Sequence, residues 1–191
     1  MRVTGGKVKG HRLIKVKGPH IRPTADMVRN SIFNILGQTL TGVAVLDLFA
    51  GTGSLGIECL SRGAKRAVFI DNSRRALAII KKNLTICGLE ELSMVIREEL
   101  PKGLNRIRNL GCGQFDLVFI DPPYGKGHIE PTMNKLVESN LLTHDAMVVA
   151  ESSTSANDPL PCKIPHFRLQ QTRSYGSTVI GFYSSHGGII T

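Results

Sequence analysis

At 191 residues and 41% hydrophobic content, with no signal-peptide pattern and no apolar run near the roughly 20 residues that span a bilayer, the chain reads as one soluble domain around a single core. Four scattered cysteines (Cys59, Cys87, Cys112, Cys162) form no C-x-x-C pair, which speaks against a zinc site or disulfide framework and for a reducing cytoplasm. The net charge of +9 is unevenly placed: Arg2, Lys7, Lys9, Arg12, Lys15, Lys17 and Arg22 precede the first acid, and the remainder is close to neutral.

A basic segment on a neutral body is the electrostatic footprint of a polyanion-binding arm, so these seven cations are the expected nucleic-acid contacts. A charge run is more commonly a solvated face; the missing acids favour nucleic acid here. Residues 1–20 read as an extension, with a β-hairpin over 1–17 punctuated by Gly5-Gly6 and Gly10, and residues 21–191 as the main body. In the hairpin Ile14 and Val16 alternate with Lys15 and Lys17, which predicts an apolar face toward the body and lysines toward phosphates. Thr24 is an expected N-cap for a helix with the apolar stripe Met27, Val28, Ile32, Ile35 and Leu36, and Arg22 and Thr24 lie where they could reach a cofactor cleft.

Val43 to Leu48 is an apolar run, hence a buried strand, and Gly51-Thr-Gly53-Ser-Leu-Gly56 follows it into a helix from Ser54 to Leu60. A glycine turn at the carboxyl end of a strand brings backbone close to a ligand, so it is the expected cofactor floor. The pattern fits a dinucleotide literally, with Asp71 near the ribose-binding position, and fits S-adenosylmethionine equally well. Asp47 favours the latter: a carboxylate at the strand mouth could hold the methionine ammonium but would repel a pyrophosphate.

Ala67 to Asp71 reads as the second strand, Arg74 to Leu84 as a helix stopped near Cys87-Gly88, Ser93 to Ile96 as the third strand and Phe115 to Asp121 as the fourth. A helix from Ile129 to Leu141, a strand from Ala146 to Glu151, a polar loop from Ser152 to Pro165 and a closing hairpin (Phe167 to Thr172, Thr178 to Tyr183) complete the chain. This β-α-β-α alternation demands a mostly parallel sheet. Asp71 is expected to hold ribose hydroxyls, and Glu99 (or Glu98), ending the third strand, the adenine amine.

Asp121-Pro122-Pro123-Tyr124 at the end of a buried strand is the most specific signal. The exocyclic amine of guanine or adenine is conjugated with its ring and is a poor nucleophile. A carboxylate (Asp121) and a carbonyl (Pro122) accepting its two hydrogens favour the tetrahedral, lone-pair-bearing nitrogen. Consecutive prolines fix these acceptors in advance, and Tyr124 offers a ring on which an extruded base stacks. A rigid turn is the bland alternative, and a nicotinamide enzyme has no use for this motif.

These residues resemble the RsmD-type bacterial 16S rRNA guanine-N2 methyltransferases. The resemblance runs through Arg2-Val, Gly5-Gly6, Gly10-His-Arg, Arg22-Pro-Thr-x-Asp26-x-Val-Arg29, Phe33-Asn34, Leu46 to Gly56, Glu58, Leu60-Ser-Arg-Gly63 and Asp121 to Tyr124. It implies an α/β, Rossmann-like class I methyltransferase fold: a mostly parallel seven-stranded sheet with helices on both faces and a short N-terminal hairpin. It further implies S-adenosyl-L-methionine as donor, a guanine amine of small-subunit rRNA as acceptor, a cofactor loop at Asp47, Phe49, Gly51 and Gly53, and catalysis at Asp121 to Tyr124. A monomer without metal is expected. Rival readings are a DNA adenine-N6 methyltransferase, against which stands the lack of a separate target-recognition domain, and a non-catalytic RNA-binding protein on the same scaffold.

Overall fold

The computed structural model describes residues 1–15, 24–154 and 159–185, with only the backbone of Thr24 and Ala25. The chain divides into two compact units, Met1–Arg97 and Glu98–Thr191.

In the first unit the apolar run becomes β1 (Ala44–Leu48), buried at every position, as a strand covered on both faces must be. It pairs in parallel with β2 (Arg66–Asp71), and β2 with β3 (Ser93–Arg97), in the order β3-β2-β1. Leu46 lies beside Val68, and Val68 beside Met94. Helices α1 (Thr24–Leu36), α2 (Ser54–Ser61) and α3 (Arg74–Cys87) lead into or connect these strands. Since β1, β2 and β3 advance in one direction, right-handed crossovers put α2 and α3 on the same face. Ser73 caps α3 through its hydroxyl, which accepts from the Ala76 N–H at 3.3 Å; Gly88, left-handed at φ 63°, ends it. Leu46, Leu48, Ile57, Phe69, Ile70 and Ile80 form the core.

Two sequence expectations change here. On α1 the buried stripe is Val28, Ile32 and Phe33, while Met27 is 55% exposed. The stripe is turned because Arg29 is drawn inward to Glu58, taking its neighbours on the helix face with it. The N-terminal hairpin is a single antiparallel bridge, Arg2 to Arg12, closed by turns at Gly6 (φ 75°) and Gly10 (φ 90°). Val3 and Leu13 are its buried side, and Ile14 is 39% exposed, the reverse of the predicted alternation. Val16, Lys17 and Arg22 lie outside the described residues.

The second unit has β4 (Phe115–Ile120) parallel to β5 (Leu142–Ser153), then β7 (Thr178–Ser185) antiparallel to both β5 and β6 (Phe167–Tyr175), in the order β4-β5-β7-β6. Strand β5 begins earlier and ends later than its apolar centre predicted. Helix α4 (Leu104–Asn109) was not foreseen in the sequence; α5 (Ile129–Glu138) buries Ile129, Thr132, Met133 and Leu136, the spacing of one helical face. It stops short of the expected Leu141 because Asn140 turns left-handed at φ 49°. Leu141 then accepts from the Phe115 N–H at 2.8 Å. No described helix is long and apolar enough to cross a membrane.

Candidate active site

The turn after β1 is held in left-handed backbone at Phe49 (φ 58°), Gly51 (φ 56°) and Gly53 (φ 73°). Such a conformation at a phenylalanine costs on the order of 1–3 kcal/mol and persists only where the surroundings over-determine it. A Cβ at Gly51 would meet nothing nearer than the Phe49 carbonyl oxygen, 3.9 Å away, so this backbone faces open space and glycine answers to φ alone. Gly56 answers to packing: a Cβ there would overlap the Phe69 ring and lie 3.1 Å from Asp47 Oδ2.

Two carboxylates flank the turn. Asp47 is 2% exposed, and its Oδ2 accepts from the Gly56 N–H at 3.0 Å. Burial pushes its carboxyl up to about 7; the Gly56 N–H pulls it down in part, and the charge of Asp71 raises it further. Asp71 is half-buried, with Oδ2 accepting from the Gly51 N–H at 2.9 Å and Oδ1 from the Ser73 N–H at 2.8 Å. It therefore fixes the glycine turn to the end of β2, with one lone pair on each oxygen still available.

The remaining predicted cofactor residues are less gathered. Helix α1 begins at Thr24 itself, and the Thr24 side chain lies outside what is described. Glu98 is bound to Arg106 at 2.7 Å, whereas the Glu99 side chain is exposed.

In the second unit Asp121 follows β4 directly and is exposed, with Pro122 buried and Pro123 exposed. The Tyr124 hydroxyl donates to Glu151 Oε1 at 2.5 Å, pinning a ring that remains 36% exposed. Burial, then the negative charge of Glu151, raises the phenol far above its ordinary range, so it stays a donor. Arg2, Lys7, Lys9, Arg12 and Lys15 are all exposed. Among the described residues no cluster of three or more His, Cys, Asp or Glu could hold a metal ion.

What docks the basic segment was missed in the sequence. Glu58, fully buried on α2, accepts from the Thr4 N–H (2.9 Å), the Thr4 hydroxyl (2.8 Å) and the Gly5 N–H (2.7 Å), and pairs with Arg62. Arg29 Nη2 donates to the Arg2 carbonyl at 2.5 Å. Gly5 and Gly6 allow this approach, since a Cβ on either would overlap Arg62 or the Ser61 backbone. The available signal was a Glu-x-x-x-Arg pair inside an otherwise apolar helix, where charge without solvent implies mutual neutralisation.

Parallel β-α-β units, a glycine turn after β1, acids at the ends of β1 and β2, and Asp-Pro-Pro-Tyr after β4 are those of a class I, Rossmann-like methyltransferase fold. The fold alone is shared with an O-methyltransferase from Bacillus cereus solved in complex with S-adenosylhomocysteine (TM-score 0.65, 17% identity, 88% of this chain and 84% of that one). A family described as conserved hypothetical protein 95 matches residues 1–184. YlbH of Bacillus subtilis is 35% identical over 187 residues, covering 98% of this chain and all of its own. Ribosomal RNA small subunit methyltransferase D of Escherichia coli K12 is 30% identical over 191 residues, 96% of this chain and 89% of its own. The chain belongs to this family, the RsmD family of rRNA methyltransferases.

Proposed function

We propose that the protein transfers a methyl group from S-adenosyl-L-methionine to the exocyclic N2 of a guanine in 16S rRNA, acting as a cytoplasmic monomer on naked rRNA or an assembling small subunit. The observation that carries the reading is Asp47, a buried carboxylate with one backbone donor at the mouth of an open glycine turn. Such a group is a poor place for unpaired charge and a good one for a cation. It fits the amino group of the methionine moiety.

In this reading Asp47, Phe49, Gly51 and Gly53 hold the methionine end, Asp71 the ribose hydroxyls through its unused lone pairs, Glu99 the adenine amine, and Thr24 borders the cleft. Bound there, the cofactor supplies an electrophilic methyl. The chain's own work lies with the acceptor. Asp121 and the Pro122 carbonyl take the two amine hydrogens, Pro122 and Pro123 keep those acceptors fixed, and the pinned Tyr124 ring stacks on the base. Arg2, Lys7, Lys9, Arg12 and Lys15, with Lys17 and Arg22, bind phosphates. Support for rRNA as substrate comes from the family and from the name of the E. coli relative.

The test is transfer of labelled methyl to small subunits, naked 16S rRNA and duplex DNA, followed by nucleoside analysis. N2-methylguanosine in RNA is expected; N6-methyladenine in DNA overturns the acceptor, and no transfer to any of them overturns the enzyme. Asp121→Ala is expected to abolish transfer while S-adenosylhomocysteine still binds.

A further inference from the structure

Asn83, on α3, is fully buried, and every polar atom of its carboxamide is engaged. Its Oδ1 accepts from the Ile14 N–H at 2.7 Å. Its Nδ2 donates to the Ile14 carbonyl at 3.2 Å and to the Thr52 carbonyl at 2.9 Å. The orientation of the amide is fixed by these partners, because two carbonyls can only accept and one N–H can only donate. Thr52 lies between Gly51 and Gly53 in the turn, and Ile14 lies between Arg12 and Lys15 in the basic segment. One side chain thus joins the cofactor turn to the far end of the proposed RNA-binding arm. The same helix also presses Ile80 against the turn, 3.3 Å from where a Gly53 Cβ would sit.

We propose that Asn83 is a positioning residue that couples the two sites: cofactor in the Gly51–Gly53 turn fixes the Thr52 carbonyl, thereby fixes the Asn83 amide, and so orders the arm at Ile14 for RNA. The inference rests on the donor and RNA roles proposed above. The coupling is reciprocal, since a ligand that orders the shared element favours the other and is favoured by it. The arm is therefore more than a passive polycation. It reads whether a methyl donor is loaded before RNA is engaged, and it does so through the backbone N–H and carbonyl of Ile14.

The experiment measures affinity for a 16S rRNA fragment with and without S-adenosylhomocysteine, in the wild type and in Asn83→Asp. The aspartate keeps an acceptor for Ile14 but loses both donors. In the wild type, S-adenosylhomocysteine is expected to tighten RNA binding by about fivefold or more, and in Asn83→Asp that factor falls to about one while S-adenosylhomocysteine still binds. Amide exchange in the wild type decides the matter if the variant does not fold: the Ile14 N–H is expected to exchange more slowly once S-adenosylhomocysteine is bound. Binding of S-adenosylhomocysteine with neither tighter RNA binding nor slower Ile14 exchange overturns the coupling alone, as does undiminished coupling in a folded Asn83→Asp. Absence of S-adenosylhomocysteine binding overturns the donor assignment beneath it.

Discussion

Arg62 Nη2, on the residue that caps α2, lies 2.9 Å from Glu58 Oε1 one helical turn before it, with the two side chains 4% and 1% exposed. Arg29 Nε approaches the other oxygen, Oε2, at 3.5 Å. A single buried carboxylate therefore neutralises two buried guanidiniums and also receives the backbone of Thr4 and Gly5. Removing it leaves Arg62 without its carboxylate and Arg29 with only the half-exposed Asp26 carboxylate at 3.1 Å, and breaking a buried pair in this way typically costs about 3–5 kcal/mol. Glu58→Ala is expected to lower the urea midpoint accordingly and to expose residues 1–13 to proteolysis; an unchanged midpoint would show that the pair carries no net weight.

The second prediction concerns pH. The Asp47 carboxyl ionises near 7 in the folded chain against an ordinary 3.8, so the folded form holds its proton more tightly than the unfolded form. Its contribution to stability is thus fully present below about 4, is lost as pH rises toward about 7, and is constant above, with a slope of at most about 1.4 kcal/mol per pH unit. A bound ammonium reverses this by favouring the carboxylate, so S-adenosylhomocysteine affinity is expected to climb from pH 6 to 8. Asp47→Asn is expected to melt several degrees higher than wild type at pH 8 yet bind S-adenosylhomocysteine at least about thirtyfold more weakly, as an unpaired buried charge dictates. A variant that gains stability without losing affinity would remove Asp47 from the cofactor site.

The Tyr124 hydroxyl is held by Glu151, which leaves the ring for the base. Tyr124→Ala is expected to raise KM for RNA by the worth of one stacked base, about 1–3 kcal/mol, without changing S-adenosylhomocysteine affinity. Tyr124→Phe keeps the face and loses only the tether, so it should fall between. Equal effects of the two substitutions would mean that the hydroxyl, not the ring, does the work.

Exposed lysines on a docked segment should act through counterion release. Replacing Lys7 and Lys9 together by alanine is expected to flatten the plot of log affinity against log salt by about 1.4–1.8, the release expected from two phosphate contacts. An unaltered slope would place the RNA elsewhere on the surface.

The strands and the glycine turn were legible in the sequence because each is announced by a local pattern: an apolar run for β1, β2 and β4, a glycine pair at the end of β1, and a Gly88 stop for α3. The polar interior was not. Glu58, Arg29, Arg62 and Asn83 look like surface residues in any periodicity argument, and only partners distant in sequence (Thr4, Gly5, Ile14) draw them inside. The same cause misled the reading of α1, where a buried arginine, not methionine, set the inward face. Helix α4 escaped because six residues with two buried positions carry too little periodicity to register.

The last strand of the second unit is not its edge. Thr178–Ser185 lies between β5 and β6, bonded to both, so among the described strands β6 pairs with β7 alone. During folding β6 must wait, unpaired, until β7 has slotted in beside β5. A chain cut short before Thr178 would lack β7 and leave β5 with an open flank that invites pairing with other chains. Loss of the final strand would therefore remove two strand pairings of the second unit at once.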